Sequence, residues 1–395
     1  MAIKVGIGVS IHKDPLQAAK EATEEAKSKL KEDVSIGFIF SSIEFAHPIV
    51  LKVIKDLIQS APLIGCSGLA IISPQGILKR GLGIMLLNLP KDIYIASACV
   101  KQINTQPISD PGELLGENLM HGFKGLRRCF GMLFCDGFIP QSSTLISGLQ
   151  KVLGKSFPLI GASASNTSGS LKSYLYFNQD IFNDGVCGLL WGGKLNFSFG
   201  IKHGWKPLGK PRTVTHSEGN IVYKIDGLPA VKLYMEYLGW GLDKLKRELK
   251  YISIFYPLGV NIPGQEEYLL RNILRIEEDG SLYLHGNIPE GSIIKLMIGT
   301  KESCLQATEQ AVDETKRNLY GKSYDLVFVF NSLSRYILLG RRAKEEIKII
   351  KEGLGKEVPL LGLYTLGEHA PLRAIAYQGM TYFHNQTVAL LVIGG

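Results

Sequence analysis

Two stretches of this 395-residue sequence decide the fold: APLIGCS at residues 61–67 and FPLIGAS at residues 157–163. Each contains Pro-Leu-Ile-Gly, a short apolar segment that predicts a buried β-strand, and each ends in small residues. The two prolines, Pro62 and Pro158, lie 96 residues apart. A match of this length at one offset indicates an internal repeat.

A second pair of landmarks keeps the same offset of 96 residues. Asp14 precedes Pro15, and Asp110 precedes Pro111. Asp is a favoured N-cap and proline favours the first helical position, so each pair predicts the start of a helix. Because both landmarks agree with no net insertion between them, we predict two copies of one folding unit.

Between the landmarks, apolar runs at residues 35–40 and 131–135 predict strands that are covered on both faces. A helix follows each strand, at about residues 48–59 and 141–153, and the Pro-Leu-Ile-Gly strand comes next. This order predicts a β-α-β unit with parallel strands, because crossover connections of this kind are right-handed and return to the same sheet.

A third copy of the unit is predicted near the C-terminus, with helices and strands at residues 305–319, 325–330, 341–352 and 358–362. The distance from the end of the first strand to the proline is 29 residues here, from Phe330 to Pro359. It is 22 residues in the first copy, from Phe40 to Pro62. We therefore expect about seven extra residues in this part of the third copy.

The segment at residues 204–219 is rich in Gly, Pro, Thr and Ser and predicts a domain boundary. Beyond it, residues 220–300 predict shorter strands with one helix at 230–238, which do not fit the repeat. We predict an α/β protein of repeated α-β-α-β units with added antiparallel strands, in mixed sheets that stack with their helices outside. The predicted domains are residues 1–210, with copies at about 1–100 and 101–205, and residues 211–395, with an insert at 220–300 and the third copy at 301–395.

The composition favours a folded protein and excludes several function classes. Lys+Arg 44 against Asp+Glu 36 gives a net charge of +8, but no basic run reaches five residues, so we predict a lysine-rich surface and no nucleic-acid binding. Apolar runs are far shorter than the roughly 18–20 residues of a membrane span, and the N-terminus lacks a signal-peptide pattern. We expect a cytoplasmic protein without membrane insertion. The 6 Cys and 8 His show no ligand spacing, so we predict no disulfide, no metal and no cofactor.

Small and polar residues follow the predicted parallel strands at their carboxyl ends, which form the edge of an α/β sheet where ligands bind. The candidate ligand-binding residues at these strand ends are Ser41, Cys66, Ser67, Ser163, Asn331, Ser332, Tyr364 and Thr365. The structural alternative is that Gly65, Gly161 and Gly362 only permit tight turns after buried strands.

Two C-terminal clusters add charged and polar groups to these candidates. Glu368 follows the third closing strand, and His384 and Asn385 precede the last strand. Together with Arg335 they suit a zwitterionic ligand, because Glu can pair with an amino group and Arg with a carboxylate. The alternative is that His384 and Asn385 form a turn and that Glu368 pairs with a surface lysine.

Signals for catalysis are weak. The segment GASAS at residues 161–165 begins like a nucleophile elbow but lacks the final Gly, and residues 71–76 read as strand and turn where an elbow needs a helix. Cys66 would need a histidine or a helix N-terminus to lower its pKa. We therefore predict no catalytic residue and keep a hydrolase or acyl transferase that uses Cys66 or Ser67 as the alternative.

The chain resembles the FIST proteins, in which a FIST N domain precedes a FIST C domain, from about residue 30 to the end. The segments that carry this resemblance are PLIGCS at 62–67, TVT with GN and DGLPA within 213–230, GLYTLGE at 362–368, and FHNQT at 383–387. Two positions depart from the family pattern. Ser332 stands where the family usually has Cys three residues before the retained Arg335, and SGLA at 67–70 lacks the usual Glu. The first departure weakens any role for a thiol there.

The resemblance implies an intracellular sensory module for a small ligand, with amino acids as the candidate class. Such modules occur with histidine kinase, cyclic-dinucleotide or chemotaxis-receptor output domains. We expect no output domain within this chain, so signalling would pass through such a partner protein by a shift between two conformations. Our interpretation is a non-catalytic cytoplasmic sensor of a small polar metabolite. The alternatives are the enzyme and a scaffold that only docks a partner protein.

Overall fold

The computed structural model describes residues 2–105, 110–123, 127–139, 142–166, 172–372 and 380–395. The first copy of the repeat contains β1 (Lys4–Ser10), α1 (Pro15–Leu30), β2 (Ile36–Ser41), α2 (Pro48–Ile58), β3 (Leu63–Ser67), β4 (Ile71–Ser73), β5 (Gly76–Leu78) and β6 (Leu82–Asn88). The second contains β7 (Ile93–Lys101), α3 (Pro111–His121), β8 (Arg128–Cys135), α4 (Ser142–Leu153), β9 (Leu159–Ser163), β10 (Leu175–Phe177), β11 (Asp180–Phe182) and β12 (Gly185–Gly193).

The third copy begins with β13 (Asn196–Lys202) and is interrupted by an insert before it continues. The insert contains β14 (Lys206–Glu218), β15 (Ile221–Ile225), β16 (Leu228–Pro229), α5 (Lys232–Leu238), α6 (Leu242–Arg247), α7 (Leu249–Phe255), β17 (Leu258–Val260), β18 (Leu269–Arg271), β19 (Ile273–Ile276), β20 (Leu282–Leu284) and β21 (Ile293–Ile298). The third copy then continues with α8 (Lys301–Asn318), β22 (Leu326–Ser332), α9 (Leu333–Leu339), α10 (Ala343–Leu354), β23 (Leu360–Thr365), β24 (Gly367–Pro371), β25 (Thr381–His384) and β26 (Val388–Gly394).

The predicted helix starts are confirmed by their caps. The Asp14 side chain accepts a hydrogen bond from the backbone of Leu16 at the start of α1, and Asp110 caps α3 in the same way. Helix α8 begins at Lys301, earlier than predicted, because Thr300 and Ser303 form a reciprocal capping box ahead of its apolar stripe. The extra residues of the third copy form the short helix α9.

Each copy builds one six-stranded mixed sheet, which confirms the α/β class. The pairs β2/β3, β8/β9 and β22/β23 are parallel, and β6, β12 and β26 pair antiparallel with the first strand of each. The repeated glycine lies inside the strand and not in a turn. A Cβ at Gly65 would stand 1.8 Å from the carbonyl oxygen of Ile39 on the neighbouring strand, and one at Gly161 would stand 1.9 Å from that of Leu133. Close strand approach therefore explains this glycine.

The three sheets are linked by an exchange of hairpins that the sequence pattern does not reveal. The hairpin β4–β5 of the first copy pairs with β23 of the third, β10–β11 of the second pairs with β3 of the first, and β24–β25 of the third pairs with β9 of the second. Each copy thus completes the sheet of another, so the three copies form a closed ring.

The inner faces of the three sheets share one hydrophobic core, and helices cover the outer faces. One phenylalanine from each copy meets at the centre: Phe40 lies 5.8 Å from Phe134 and 6.3 Å from Phe330, between ring centroids. Edge-to-face packing of this kind adds to the stabilisation from burial. Every copy therefore contributes an aromatic side chain to the packing that stabilises the ring.

The insert is a separate antiparallel sheet with its own core, in the order β18-β17-β21-β14-β15-β20-β19. Two details differ from the sequence prediction. The Gly- and Pro-rich segment 204–219 is mostly the long strand β14, which breaks register near Gly209, where φ is +74°. The insert also has three short helices instead of one, since β-rich composition around them masked their weak periodicity.

Candidate functional site

The carboxyl ends of the parallel strands meet at one polar junction. Ser67, at the end of β3, donates a hydrogen bond from Oγ to the carbonyl oxygen of Ser165 (2.8 Å). The Oγ of Ser165 donates to the carbonyl oxygen of Tyr364 in β23 (2.7 Å) and accepts from the N–H of Leu69 (2.8 Å). The predicted residues Ser67 and Tyr364, of the first and third copies, are therefore linked through Ser165 of the second copy, which the sequence analysis did not select.

The strand-end side chains that the sequence predicts as ligand-binding are all buried: Ser41, Cys66, Ser67, Ser163, Asn331, Ser332, Tyr364 and Thr365. Cys66 packs in the central core, where burial raises the pKa of its thiol well above the usual value. The Oγ of Ser41 bonds with the hydroxyl of Tyr176 (2.6 Å). A protonated, enclosed thiol is a poor nucleophile, so the geometry does not favour catalysis by Cys66.

Sequence reasoning missed a cluster beside Ser163. Its Oγ lies 3.1 Å from Cys135 Sγ and 3.1 Å from His369 Nε2. The exchanged strand β24 brings in His369, 234 residues from Cys135, so no sequence spacing could signal the cluster. Burial raises the pKa of Cys135 to about 12 and lowers the pKa of His369 to about 3. Both groups are neutral at pH 7 and form an enclosed hydrogen-bond network.

Glu368 is also buried, and threonines are its partners in place of a surface lysine. The hydroxyls of Thr365 and Thr387 donate to its two carboxyl oxygens at 2.6 Å and 2.7 Å, and the N–H of Thr387 donates at 3.2 Å. Burial raises the pKa of Glu368 to about 8, against the opposing effect of these donors. In this structure the carboxyl group is therefore occupied by donors of its own chain.

Arg335 lies on α9 and is paired with a carboxylate. Its Nε and Nη2 donate to Glu346 Oε1 at 2.9 Å and 2.6 Å, and its Nη1 donates to the carbonyl oxygen of His203 at 2.5 Å. Asn331 Nδ2 donates to the second oxygen of Glu346 at 2.7 Å. Both charged side chains have 0% exposure. The charge that Arg335 was expected to offer a ligand is thus neutralised within the protein.

His384 and Asn385 lie where the third copy meets the insert. Asn385 Oδ1 accepts from the N–H of Asn272 (3.0 Å), and Gln386 Nε2 donates to the carbonyl oxygen of Ser253 (2.7 Å). The N–H of Gln386 donates to Ser332 Oγ (3.2 Å). We call this set, Ser253, Asn272, Ser332, Asn385 and Gln386, the insert interface. It places two predicted residues, Ser332 and Asn385, in one hydrogen-bond network.

Some polar atoms next to the insert interface are incompletely satisfied. Gln386 Oε1 and His285 Nε2 are enclosed and have no hydrogen-bond partner among the residues that the structure describes. His285 Nδ1 lies 3.3 Å from Asn385 Nδ2, which links it to the interface. Burying an unsatisfied polar group costs about 1–3 kcal/mol, so such atoms gain from a partner.

A cleft of about 320 Å³ opens between α4, β25 and the insert. Its lining residues are Ser143, Thr144, Ile146, Ser147, Gln150, Val260, Ile262, Leu269, Arg271, Asn287, Pro289, Met380, Thr381, Tyr382 and Phe383. Arg271 Nη1 donates to the carbonyl oxygen of Phe383 (2.9 Å), and Phe383 directly precedes His384. The cleft therefore lies beside the insert interface, since its lining residue Arg271 directly precedes Asn272 in the chain. Sequence reasoning missed Arg271, because no motif surrounds it.

No group of three or more His, Cys, Asp or Glu among the described residues could hold a metal ion. Of the described helices, none combines the length and the apolar character that a membrane crossing requires.

Comparison with known families identifies the class. The family models for the FIST N domain and the FIST C domain match residues 35–228 and 230–371. The chain belongs to the FIST family, as the sequence resemblance predicted. FIST domains are sensory domains of signal-transduction proteins.

Individual proteins are similar to this chain over most of its length. An uncharacterized protein of Methanocaldococcus jannaschii is 26% identical over 360 residues, which are 84% of this chain and 66% of that protein. An uncharacterized protein of Mycobacterium bovis is 22% identical over 383 residues, 94% of this chain and 95% of the relative. A solved structure of cyanuric acid hydrolase from A. caulinodans aligns over 99% of each chain with a TM-score of 0.39 and 7% identity. That TM-score is too low to support an inference about activity.

Proposed function

We propose that the chain is a non-catalytic sensor that binds a small polar metabolite at the insert interface, with amino acids as the first candidates. The observation that carries this proposal is the polar contact between ring and insert, with a cleft beside it. Family membership supports a sensory role.

A polar interface of this kind suits a switch. The ring and the insert have separate main cores, and a smaller hydrophobic cluster joins Ile254 and Leu270 of the insert to Leu338 and Leu339 of α9. A shift between the ring and the insert would have to keep this cluster packed. Each net hydrogen bond contributes only about 1 kcal/mol, which differential binding of a ligand can offset. A ligand that bridges the insert interface would therefore shift the equilibrium between two relative positions of the ring and the insert.

The predicted residues divide into two roles under this proposal. Ser332, His384 and Asn385 lie at or beside the interface and would respond to the ligand. The other predicted residues are buried and would stabilise the structure that positions these three: Ser41, Cys66, Ser67, Ser163, Asn331, Arg335, Tyr364, Thr365 and Glu368. The signal would pass to a partner protein, for which a histidine kinase, a cyclic-dinucleotide enzyme or a chemotaxis receptor is the family-based candidate.

A ligand screen on the full chain tests the proposal. Calorimetry with amino acids and small organic acids should find a binder that slows amide hydrogen exchange at residues 253–272 and 380–387. The variant Asn385→Ala should weaken binding, because it removes the contact with Asn272. The control Asn88→Ala removes a hydrogen bond to Asp33 on the first copy and should bind normally. If no metabolite binds to the folded protein, the sensor proposal is wrong.

A further inference from the structure

We propose that the cleft at Arg271 binds a small monocarboxylate with an apolar body, and that Arg271 is the group that anchors the carboxylate. This inference rests on the proposed sensor function, but it moves the ligand to the cleft beside the insert interface and replaces amino acids with apolar monocarboxylates as the ligand class.

Arg271 is 4% exposed, and three of its five N–H groups have protein partners. Nε donates to the carbonyl oxygen of Asn287 (3.0 Å), and Nη1 donates to those of Leu270 and Phe383 (2.9 Å each). Nη2 has no hydrogen-bond partner among the described residues and is not among the fully enclosed atoms. Since Arg271 lines the cleft, the two N–H groups of Nη2 are available there.

No described residue provides a counter-charge for Arg271. It forms no ion pair with a described residue, and it is the sole charged side chain among the described residues that line the cleft. Burial lowers its pKa to about 9, so the guanidinium is still protonated at pH 7. A buried cation is costly without a partner, and an anionic ligand is the partner that compensates it.

The guanidinium is also held in a fixed position. Gly286 has φ +112°, and a Cβ there would stand 2.9 Å from Arg271 Nε. Backbone therefore packs directly against the guanidinium, and the three carbonyl partners hold its plane. A preformed donor group binds a carboxylate with little loss of side-chain entropy.

The rest of the cleft indicates which carboxylates fit. Apolar walls come from Ile146, Val260, Ile262, Leu269 and Pro289, and they suit an aliphatic body. No Asp or Glu among the described lining residues faces the space where the amino group of an amino acid would lie. The cleft therefore favours an apolar monocarboxylate over the zwitterionic amino acid of the same shape.

Three matched probes test this on the full chain: 4-methylpentanoate, its neutral amide and leucine. Calorimetry should show that 4-methylpentanoate binds about 10- to 100-fold more tightly than the amide, the ratio expected for charge-assisted hydrogen bonds. Leucine should bind more weakly than 4-methylpentanoate. In Arg271→Gln the acid and the amide should bind alike, whereas Arg275→Gln, which removes an exposed charge from β19, the next strand in sequence, should keep the preference.

A second variant guards against misfolding of Arg271→Gln. Ser147 is exposed on α4 at the cleft, so Ser147→Trp should block binding of 4-methylpentanoate and leave the fold intact. Equal binding of acid and amide by the wild-type protein overturns the inference, as does a preference for the acid that persists in Arg271→Gln. If none of the three probes binds but another metabolite does, this inference fails and the sensor function stands.

Discussion

Arg335 and Arg271 are both buried arginines, but their surroundings differ. Arg335 has 0% exposure, and Glu346 neutralises it at 2.6 Å. Arg271 is 4% exposed, and its described partners are carbonyl oxygens alone. Both donate hydrogen bonds across element boundaries, so both position secondary structure. Only Arg271 keeps donor groups that face a cleft.

The difference indicates how function is distributed in this protein. Arg335 joins α9 and α10 with Asn331 of β22 through Glu346, so its charge is part of the fold of the third copy. Arg271, at the end of β18 in the insert, contacts β25, and we propose that its charge pairs with an anionic ligand. Family patterns directed attention to Arg335, whereas the structure directs it to Arg271.

The largest expected effect comes from breaking the ion pair of Arg335. Glu346→Gln or Arg335→Met should each lower the free energy of unfolding by about 3–5 kcal/mol, because each leaves one enclosed charge or its partners unmatched. Urea unfolding measures this. The double variant Arg335→Met with Glu346→Leu should recover much of the loss, since no charge remains. Single variants that lose under about 1 kcal/mol would show that the pair is not structural.

A smaller effect is expected from Arg271→Met. Three carbonyl oxygens lose a donor, but an uncompensated buried cation is removed as well, so the net loss should be about 2 kcal/mol or less. The same urea titration measures it. A loss of free energy of unfolding as large as that for Glu346→Gln would show that Arg271, like Arg335, is mainly structural.

The third expected effect develops only below about pH 6.5 and concerns the histidine beside Arg271. Burial lowers the pKa of His384 to about 3, with Arg271 adding to the shift. His384 therefore stays neutral in the folded protein but takes up a proton on unfolding below pH about 6.5. The contribution of His384 to the free energy of unfolding is fully present above that pH. It decreases as the pH falls toward 3, by about 1.4 kcal/mol per pH unit.

Unfolding of His384→Gln at several pH values between 4.5 and 7.5 checks this. The variant should show a shallower loss of stability below pH 6.5 than the wild-type protein. Asn88→Ala, which removes no titratable group, provides the control and should leave the slope unchanged. An unchanged slope in His384→Gln would mean that His384 titrates normally in the fold.

Much of the repeat could be predicted from local patterns. Asp14 and Asp110 cap the helices they predict, and the extra residues of the third copy are α9. The same patterns could not show that each hairpin joins the sheet of another copy, because a hairpin's edge does not specify which strand it pairs with. The Cys135, Ser163 and His369 cluster depends entirely on that exchange.

The site was predictable only in part. Strand-end residues such as Ser67 and Tyr364 do come together, because repeated units place equivalent ends at equivalent positions. Their role as ligand-binding residues stays a prediction. The insert was the least predictable region, and it supplies Arg271. Its short strands have weak periodicity, and their partners lie far away in sequence.

By itself, the amino-acid sequence determined the class of fold, the threefold repetition and the membership in a sensory family, because caps, apolar runs and family motifs are local and survive divergence. The tertiary structure alone decided which buried charge is satisfied. Arg335 and Glu346 are 11 residues apart, and Arg271 and Phe383 are 112 apart, yet neither number foretells the outcome. A buried charge is governed by whichever groups packing brings within about 3 Å of it, and that is a property of the assembled ring and insert.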